Sequence, residues 1–151
     1  MGYTTRAALD ALPPGAEVVV AEIVPAVVAW NRGPLADLAG RPLEDPRVRV
    51  EIGDVSRYIA TTPVRFVAIL LDVDNGPQGL TRRGNQVLYS DHGLVSIRRA
   101  LRSNGVLAVW SASPDRIFEN RLRKANFHVE VVSVSGRGSA GGPRHVIFLA
   151  Y

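Results

Sequence analysis

The sequence contains no cysteine among its 151 residues. Disulfides, thiolate nucleophiles and cysteine-ligated zinc are therefore excluded, and a reducing cytoplasm is the expected location. The three histidines are scattered singly and lack the spacing of metal ligands, so we predict no metal site. No apolar run is long enough to span a bilayer, and the first residues lack the apolar core of a signal peptide.

Lysine is nearly absent as well. Lys124 is the single lysine among 18 basic residues, and the formal net charge is +4. The arginines are spread along the chain, without a basic tract interleaved with aromatic residues. Such tracts are typical of proteins that stack bases, so nucleic-acid binding is disfavoured. A chain of this length is expected to form one domain, residues 1–151, that buries roughly 70% of its unfolded surface.

The stretch VRFVAILLDVDNGP, residues 64–77, is the centre of the predicted fold. Val67 to Leu71 is a continuous apolar run, which is typical of a strand buried on both faces of a parallel sheet. Asp72 and Asp74 follow it, at the carboxyl end of the strand, where ligands bind in open α/β sheets. The alternative is that both acids only begin a solvated Asn-Gly-Pro turn.

Two earlier predicted strands also lead to acids. Residues 17–21 form a short strand that delivers Glu22, and residues 47–52 form an alternating strand that delivers Asp54. Glu22 can accept two hydrogen bonds from ribose hydroxyls, or it can be a solvated carboxylate at a helix start. Asp54 can cap the following helix.

Helices are predicted between these strands. Thr4 or Thr5 caps the first helix, and Pro25 lies in the first turn of the second. Two late strands, residues 128–134 and 145–151, are joined by a loop too short for a crossover helix, so they are expected to be antiparallel neighbours. The sequence therefore predicts an α/β fold with a doubly wound, mostly parallel sheet that closes in an antiparallel hairpin.

Four segments together resemble the nucleoside-binding domain of the spermidine synthase (polyamine aminopropyltransferase) family: VVVAEIVPAVV, EDPRVRVEIGDV, VAILLDVDNGP and SIRRALRSNGVLAV. They cover most of residues 1–134 in the family's order and spacing. The most specific piece is Asp45-Pro46-Arg47 before a strand that ends in Gly53-Asp54. The resemblance implies a Rossmann-like methyltransferase fold, with decarboxylated S-adenosylmethionine or S-adenosylmethionine as the co-substrate and no metal.

The resemblance also implies roles for individual residues. Asp72 would hold and deprotonate the attacking amine, and Asp74 with Asn75 would bind the substrate. The residues implied to bind the nucleoside co-substrate are Gly2, Tyr3, Glu22, Ile23, Asp54, Val55 and Asp72. The family pattern Asp-x-x-Asp-Pro is altered here, because Asp74 comes one residue early.

Two parts of the family's architecture are missing from the sequence. They are the small N-terminal β domain that lines the polyamine channel and the first strand with its Gly-x-Gly turn. Gly2-Tyr3-Thr4 resembles the tail of that turn. We therefore expect the first strand of the sheet to be truncated, and Met1 not to be the natural beginning of the fold.

Three functions are compatible with these residues. The first is aminopropyl transfer to an amine, the second is methyl transfer to a small acceptor, and the third is non-catalytic binding of a nucleoside or a partner. The expected partner is a small-molecule amine or methyl acceptor, and a homodimer is left open. A titration with methylthioadenosine separates a nucleoside binder from a protein that binds none.

Overall fold

A computed structural model describes residues 2–73, 76–77, 87–136 and 142–151. The chain divides into two compact units, Met1–Tyr58 and Ile59–Tyr151. That the two units form one domain over residues 1–151 stays a prediction. Asp74 and Asn75 lie outside the described residues.

The first unit contains helices packed with a two-stranded parallel sheet. Its elements are α1 (Tyr3–Ala11), β1 (Val18–Glu22), α2 (Pro25–Arg32), two short 3₁₀ helices (Ala36–Ala39 and Pro42–Glu44) and β2 (Val48–Ile52), followed by α3 (Val55–Thr61), which crosses the boundary between the units. β1 and β2 pair in parallel along their whole length, with Val18 beside Val48 and Glu22 beside Ile52. The two strands therefore begin and end together.

The start of α1 differs from the prediction. Gly2, not a threonine, is the N-cap, and it has φ 78°. Thr4 and Thr5 lie inside the helix. A β-carbon built on Gly2 would lie 2.8 Å from the Pro42 Cγ, so the left-handed backbone and the close packing both require glycine here. The prediction for α2 is confirmed, because Pro25 occupies its first turn.

Arg47 joins the end of α1 to the start of β2. Its guanidinium binds the Asp45 carboxylate twice, with Nε–Oδ1 at 3.0 Å and Nη2–Oδ2 at 2.9 Å. Its Nη1 donates to the carbonyl oxygens of Leu9 (3.1 Å) and Leu12 (3.4 Å). The last carbonyls of a helix have no partner within the helix, so Arg47 satisfies groups that would otherwise need water. The Asp45-Pro46-Arg47 motif is thus a structural clamp.

Replacing Arg47 by glutamine is expected to lower the melting temperature by roughly 5 °C, since hydrogen bonds to charged groups and to the α1 carbonyls are lost. Arg49→Gln is the matched control. Arg49 pairs with Glu17 at 3.0 Å, but its side chain is 48% exposed, against 20% for Arg47, and exposed pairs contribute little. Equal melting temperatures for the two variants would contradict the clamp.

The same pair predicts a pH dependence. Hydrogen bonds from the Arg47 side chain, and then from its backbone N–H, lower the pKa of Asp45 to about 2. The unfolded carboxylate titrates near pH 4, at about its ordinary value. The stabilisation is therefore complete above about pH 4 and is lost as the pH falls through about 2. In the Arg47→Gln variant, the melting temperature should therefore fall less than in the parent protein as the pH is lowered from about 4 to about 2.

The described part of the second unit contains a four-stranded sheet and, besides the end of α3, two helices. Its elements are β3 (Phe66–Leu71), α4 (Asp91–Ala100), β4 (Leu101–Ser111), α5 (Arg116–Lys124), β5 (Val129–Ser135) and β6 (Arg144–Ala150). The strand order is β3-β4-β6-β5, with β3 parallel to β4 and the other pairs antiparallel. The predicted closing hairpin is confirmed, because β5 and β6 pair from Val129–Ala150 to Ser135–Arg144.

One face of this sheet forms the core. Leu71, Leu107 and Phe148 are buried on the three neighbouring strands. The helices add apolar residues at helical spacing, which gives each helix one buried face. These residues are Leu94, Ile97, Phe118 and Leu122. Helix α4 begins at the Ser90 cap, whose hydroxyl accepts the Gly93 N–H at 3.1 Å, and α5 begins at the Asp115 cap.

The prediction that β3 is buried on both faces is wrong. Ile69 and Leu71 are buried, but Val67 and Leu70 are 56% and 51% exposed. β3 is the edge strand of the four-stranded sheet, and within that sheet it pairs with β4 on one side. The run is continuous in sequence, but of its residues only Ile69 and Leu71, which share one face of the strand, are buried.

Candidate functional site

Glu22 is the last residue of β1 and is half-buried. Its Oε1 accepts the backbone N–H of Val24 at 2.8 Å. Its Oε2 accepts no hydrogen bond from the part of the chain that the structure describes. One carboxylate oxygen is therefore used to shape the turn into α2, and the other is available to a donor. Ile23, next in the chain, is 48% exposed.

Asp54 caps α3. Its Oδ1 accepts the Ser56 N–H at 2.7 Å, the Ser56 hydroxyl at 2.5 Å and the Arg57 N–H at 3.4 Å. The Ser56 hydroxyl, followed by the two backbone N–H groups, holds the pKa of Asp54 below its usual value. All these bonds fall on one oxygen, and the side chain is exposed. Asp54 therefore has the predicted capping contact and an ionised carboxylate that still presents its second oxygen.

The two acids lie at the same edge of the β1–β2 sheet. Glu22 is beside Ile52 in the register, and the Gly53 N–H donates to the Glu22 carbonyl at 3.0 Å. Asp54 follows directly. Two carboxylates at one carboxyl edge can accept hydrogen bonds from hydroxyl or amino groups of a single ligand. Val55, the first residue of α3, is half-buried beside them in sequence.

Gly2 is the N-cap of α1, and Tyr3 is its first residue. Gly2 packs against Pro42, Ala39 and Asn31, which belong to the connection between β1 and β2. Tyr3 is 54% exposed.

Asp72 follows Leu71, the last residue of β3, and is exposed. It belongs to the second unit. After it, the Val73 carbonyl accepts the Gly76 N–H at 3.2 Å, which closes a turn. The predicted Asp72 is therefore found at the carboxyl end of a strand, while the predicted partners Asp74 and Asn75 are outside the described residues.

Sequence reasoning missed two residues around this turn, Tyr89 and Ser111. Tyr89 is 3% exposed, and its hydroxyl lies 3.5 Å from the Val73 carbonyl oxygen. Gly76 has φ 88°, and a β-carbon built there would lie 2.7 Å from the Ser111 Cα. The Asn-Gly-Pro sequence signalled the turn itself, but nothing local pointed to Tyr89 or Ser111.

The described residues contain no group of three histidine, cysteine or carboxylate side chains that could hold a metal ion. Within the same residues, no helix has the length and apolar character needed to cross a membrane. The acidic side chains described at the strand ends, Glu22, Asp54 and Asp72, can act as hydrogen-bond acceptors and bases.

The fold is that of the Rossmann-like methyltransferases. A structure of spermidine synthase in complex with the transition-state analogue AdoDATO matches with a TM-score of 0.72 and 19% identity, over 99% of this chain and 49% of that chain. Human methyltransferase-like protein 13 in complex with SAH matches with a TM-score of 0.66 and 20% identity, over 89% of this chain and 61% of that chain. At such identities the likeness shows the fold alone.

The sequence is similar to curated polyamine aminopropyltransferases. The chain is 32% identical to the polyamine aminopropyltransferase of Mycobacterium tuberculosis over 105 aligned residues. The alignment covers 67% of this chain and 19% of the relative. It is 26% identical to the polyamine aminopropyltransferase of Korarchaeum cryptofilum over 98 aligned residues. That alignment covers 65% of this chain and 29% of the relative. The chain thus spans less than a third of the length of these relatives. No protein-family model matches it.

Proposed function

We propose that the chain binds the nucleoside part of decarboxylated S-adenosylmethionine and transfers its aminopropyl group to an amine. The similarity to polyamine aminopropyltransferases over two thirds of the chain carries this proposal. In the proposal, Glu22 accepts from the ribose hydroxyls, and Asp54 with the Val55 backbone reads the adenine edge. Gly2, Tyr3 and Ile23 complete the nucleoside contacts.

The chemistry explains why carboxylates suit this reaction. The amine nitrogen attacks the carbon next to the sulfonium, a C–N bond forms as the C–S bond breaks, and methylthioadenosine leaves. The attacking amine must lose a proton and be held in line, and negative charge must lie near the cationic donor. Asp72 would take the proton. Its exposed position at the end of β3 supports this role.

Asp74 and Asn75 are proposed as amine-binding residues on sequence grounds alone. The same grounds support a cytoplasmic location, and a homodimer remains compatible with them. The acceptor is proposed to be a small aliphatic amine such as putrescine or spermidine, because carboxylates bind ammonium groups through charge-assisted hydrogen bonds.

Methyl transfer from S-adenosylmethionine is the second candidate. The likeness to methyltransferase-like protein 13 in complex with SAH supports it, because the two donors share the same nucleoside. Acids placed to bind the ribose and adenine serve either donor. The two functions differ in the group attached to sulfur, so the donor decides between them.

Calorimetry with methylthioadenosine tests the proposal first. We expect a dissociation constant between about 1 μM and 1 mM, the common range for enzyme substrates. Decarboxylated S-adenosylmethionine with putrescine or spermidine should then yield methylthioadenosine. Binding without this product, but with turnover of S-adenosylmethionine, would favour the methyltransferase. No binding of methylthioadenosine would contradict both.

A further inference from the structure

Tyr89 connects the hydrophobic core of the second unit to the turn after Asp72. The Tyr89 ring is 3% exposed and packs edge-on against Phe118, with the ring centroids 5.5 Å apart. Phe118 packs in the same way against Phe148 of β6, at 5.2 Å. Three aromatic rings in succession hold the tyrosine in one orientation, so the position of its hydroxyl is fixed by the core.

The Tyr89 hydroxyl reaches the backbone beside Asp72. It lies 3.5 Å from the Val73 carbonyl oxygen, which also accepts the Gly76 N–H at 3.2 Å. A carbonyl oxygen has two lone pairs and can accept both donors. The peptide group that follows Asp72 is therefore held by a long hydrogen bond from the core and by the turn itself.

Gly76 holds the other end of the turn. It is buried and left-handed, and a β-carbon at this position would lie 2.7 Å from the Cα and from the Oγ of Ser111 at the end of β4. Ser111 is 1% exposed, and its hydroxyl donates to the Ser113 carbonyl at 2.8 Å. Gly76 thus packs directly against the end of β4.

We propose that Tyr89 is a positioning residue for Asp72, acting through the Val73 carbonyl. The proposal rests on the proposed function, in which Asp72 takes the proton of the attacking amine. Asp72 is exposed, so few side chains surround its carboxylate. The orientation of the Asp72 side chain therefore depends on the backbone on either side, at Leu71 in the sheet and at Val73 in the turn. Proton transfer needs the carboxylate within hydrogen-bond reach of the amine.

Tyr89→Phe tests this, because it removes the hydroxyl and keeps the ring against Phe118. The Gly76 amide should exchange its proton about 2- to 10-fold faster, the effect of losing one neutral hydrogen bond. Turnover should fall by a similar factor, with an unchanged KM for the donor and an unchanged affinity for methylthioadenosine. Tyr151→Phe is the matched control, since Tyr151 contacts His128 at the chain end and should change neither quantity.

The exchange and turnover measurements separate the two hypotheses. Unchanged Gly76 exchange in Tyr89→Phe, or faster exchange with unchanged turnover, overturns the positioning role. A parent protein without aminopropyl transfer refutes the proposed function instead. In that case the Gly76 exchange rate alone decides whether Tyr89 holds the turn.

Discussion

Asp72→Asn should slow aminopropyl transfer by about 10² to 10⁴-fold, the usual effect of removing a general base. Asparagine has nearly the same shape as aspartate but cannot take a proton from the attacking amine. Asp72 is exposed, so its replacement is expected to leave the fold intact. Single-turnover measurement of methylthioadenosine release, at saturating donor and amine, checks the prediction.

Glu130→Gln is the control for the loss of a negative charge on the same four-stranded sheet. Glu130 is exposed on β5, far along the sheet order from β3. It should keep the parent rate. If Asp72→Asn also keeps that rate while the parent is active, the proton goes to another group and the assignment of Asp72 is wrong.

The strands were predictable because each is a short apolar run that leads to an acid or a turn. β1, β2 and β3 begin and end within one residue of the predicted limits. Whether one or both faces of β3 are buried was not predictable from the sequence. Leu70 is as apolar as Leu71, but Leu70 is 51% exposed and Leu71 is buried, and that difference depends on what packs against each face of the sheet.

The boundary between α4 and β4 shows a second kind of error. Asn-Gly is a common helix end, so the sequence alone predicts that the helix carrying Leu94 and Ile97 ends at Asn104-Gly105. In the structure, α4 ends at Ala100 and β4 begins at Leu101. Phe66 pairs with Leu101 and Ala68 with Val106, so four residues of β4 bulge between the two pairs. Pairing with β3 fixes Leu101 as a strand residue, and local propensity cannot report a distant partner.

The candidate site was predictable at the level of position. An acid after a parallel strand lies at the carboxyl edge whatever surrounds it, so Glu22 and Asp72 could be placed from sequence. Which carboxylate oxygen accepts a backbone hydrogen bond and which is left for a ligand could not be predicted, because this depends on the geometry of the turn. Contacts across long sequence separations, such as Arg47 with Leu9 or Tyr89 with Val73, were not accessible to pattern reasoning.

Glu22→Gln and Asp54→Asn should each weaken methylthioadenosine binding by about 10- to 100-fold, the equivalent of one hydrogen bond to a charged acceptor. Both substitutions keep an oxygen for the existing backbone contacts. Glutamine can still accept from Val24, and asparagine is as good an N-cap as aspartate. The variants therefore remove the charge while the turns and α3 remain.

The matched control is Glu17→Gln. Glu17 is exposed just before β1, at the opposite end of the strand from Glu22, so a change in overall charge is reproduced without touching the carboxyl edge. Calorimetry on these three variants and on Asp54→Ala separates ligand binding from helix capping. If Asp54→Asn binds as the parent does while Asp54→Ala only lowers the melting temperature, Asp54 is a cap and nothing more. If Glu22→Gln and Glu17→Gln bind equally well, the nucleoside does not bind at this edge of the first unit.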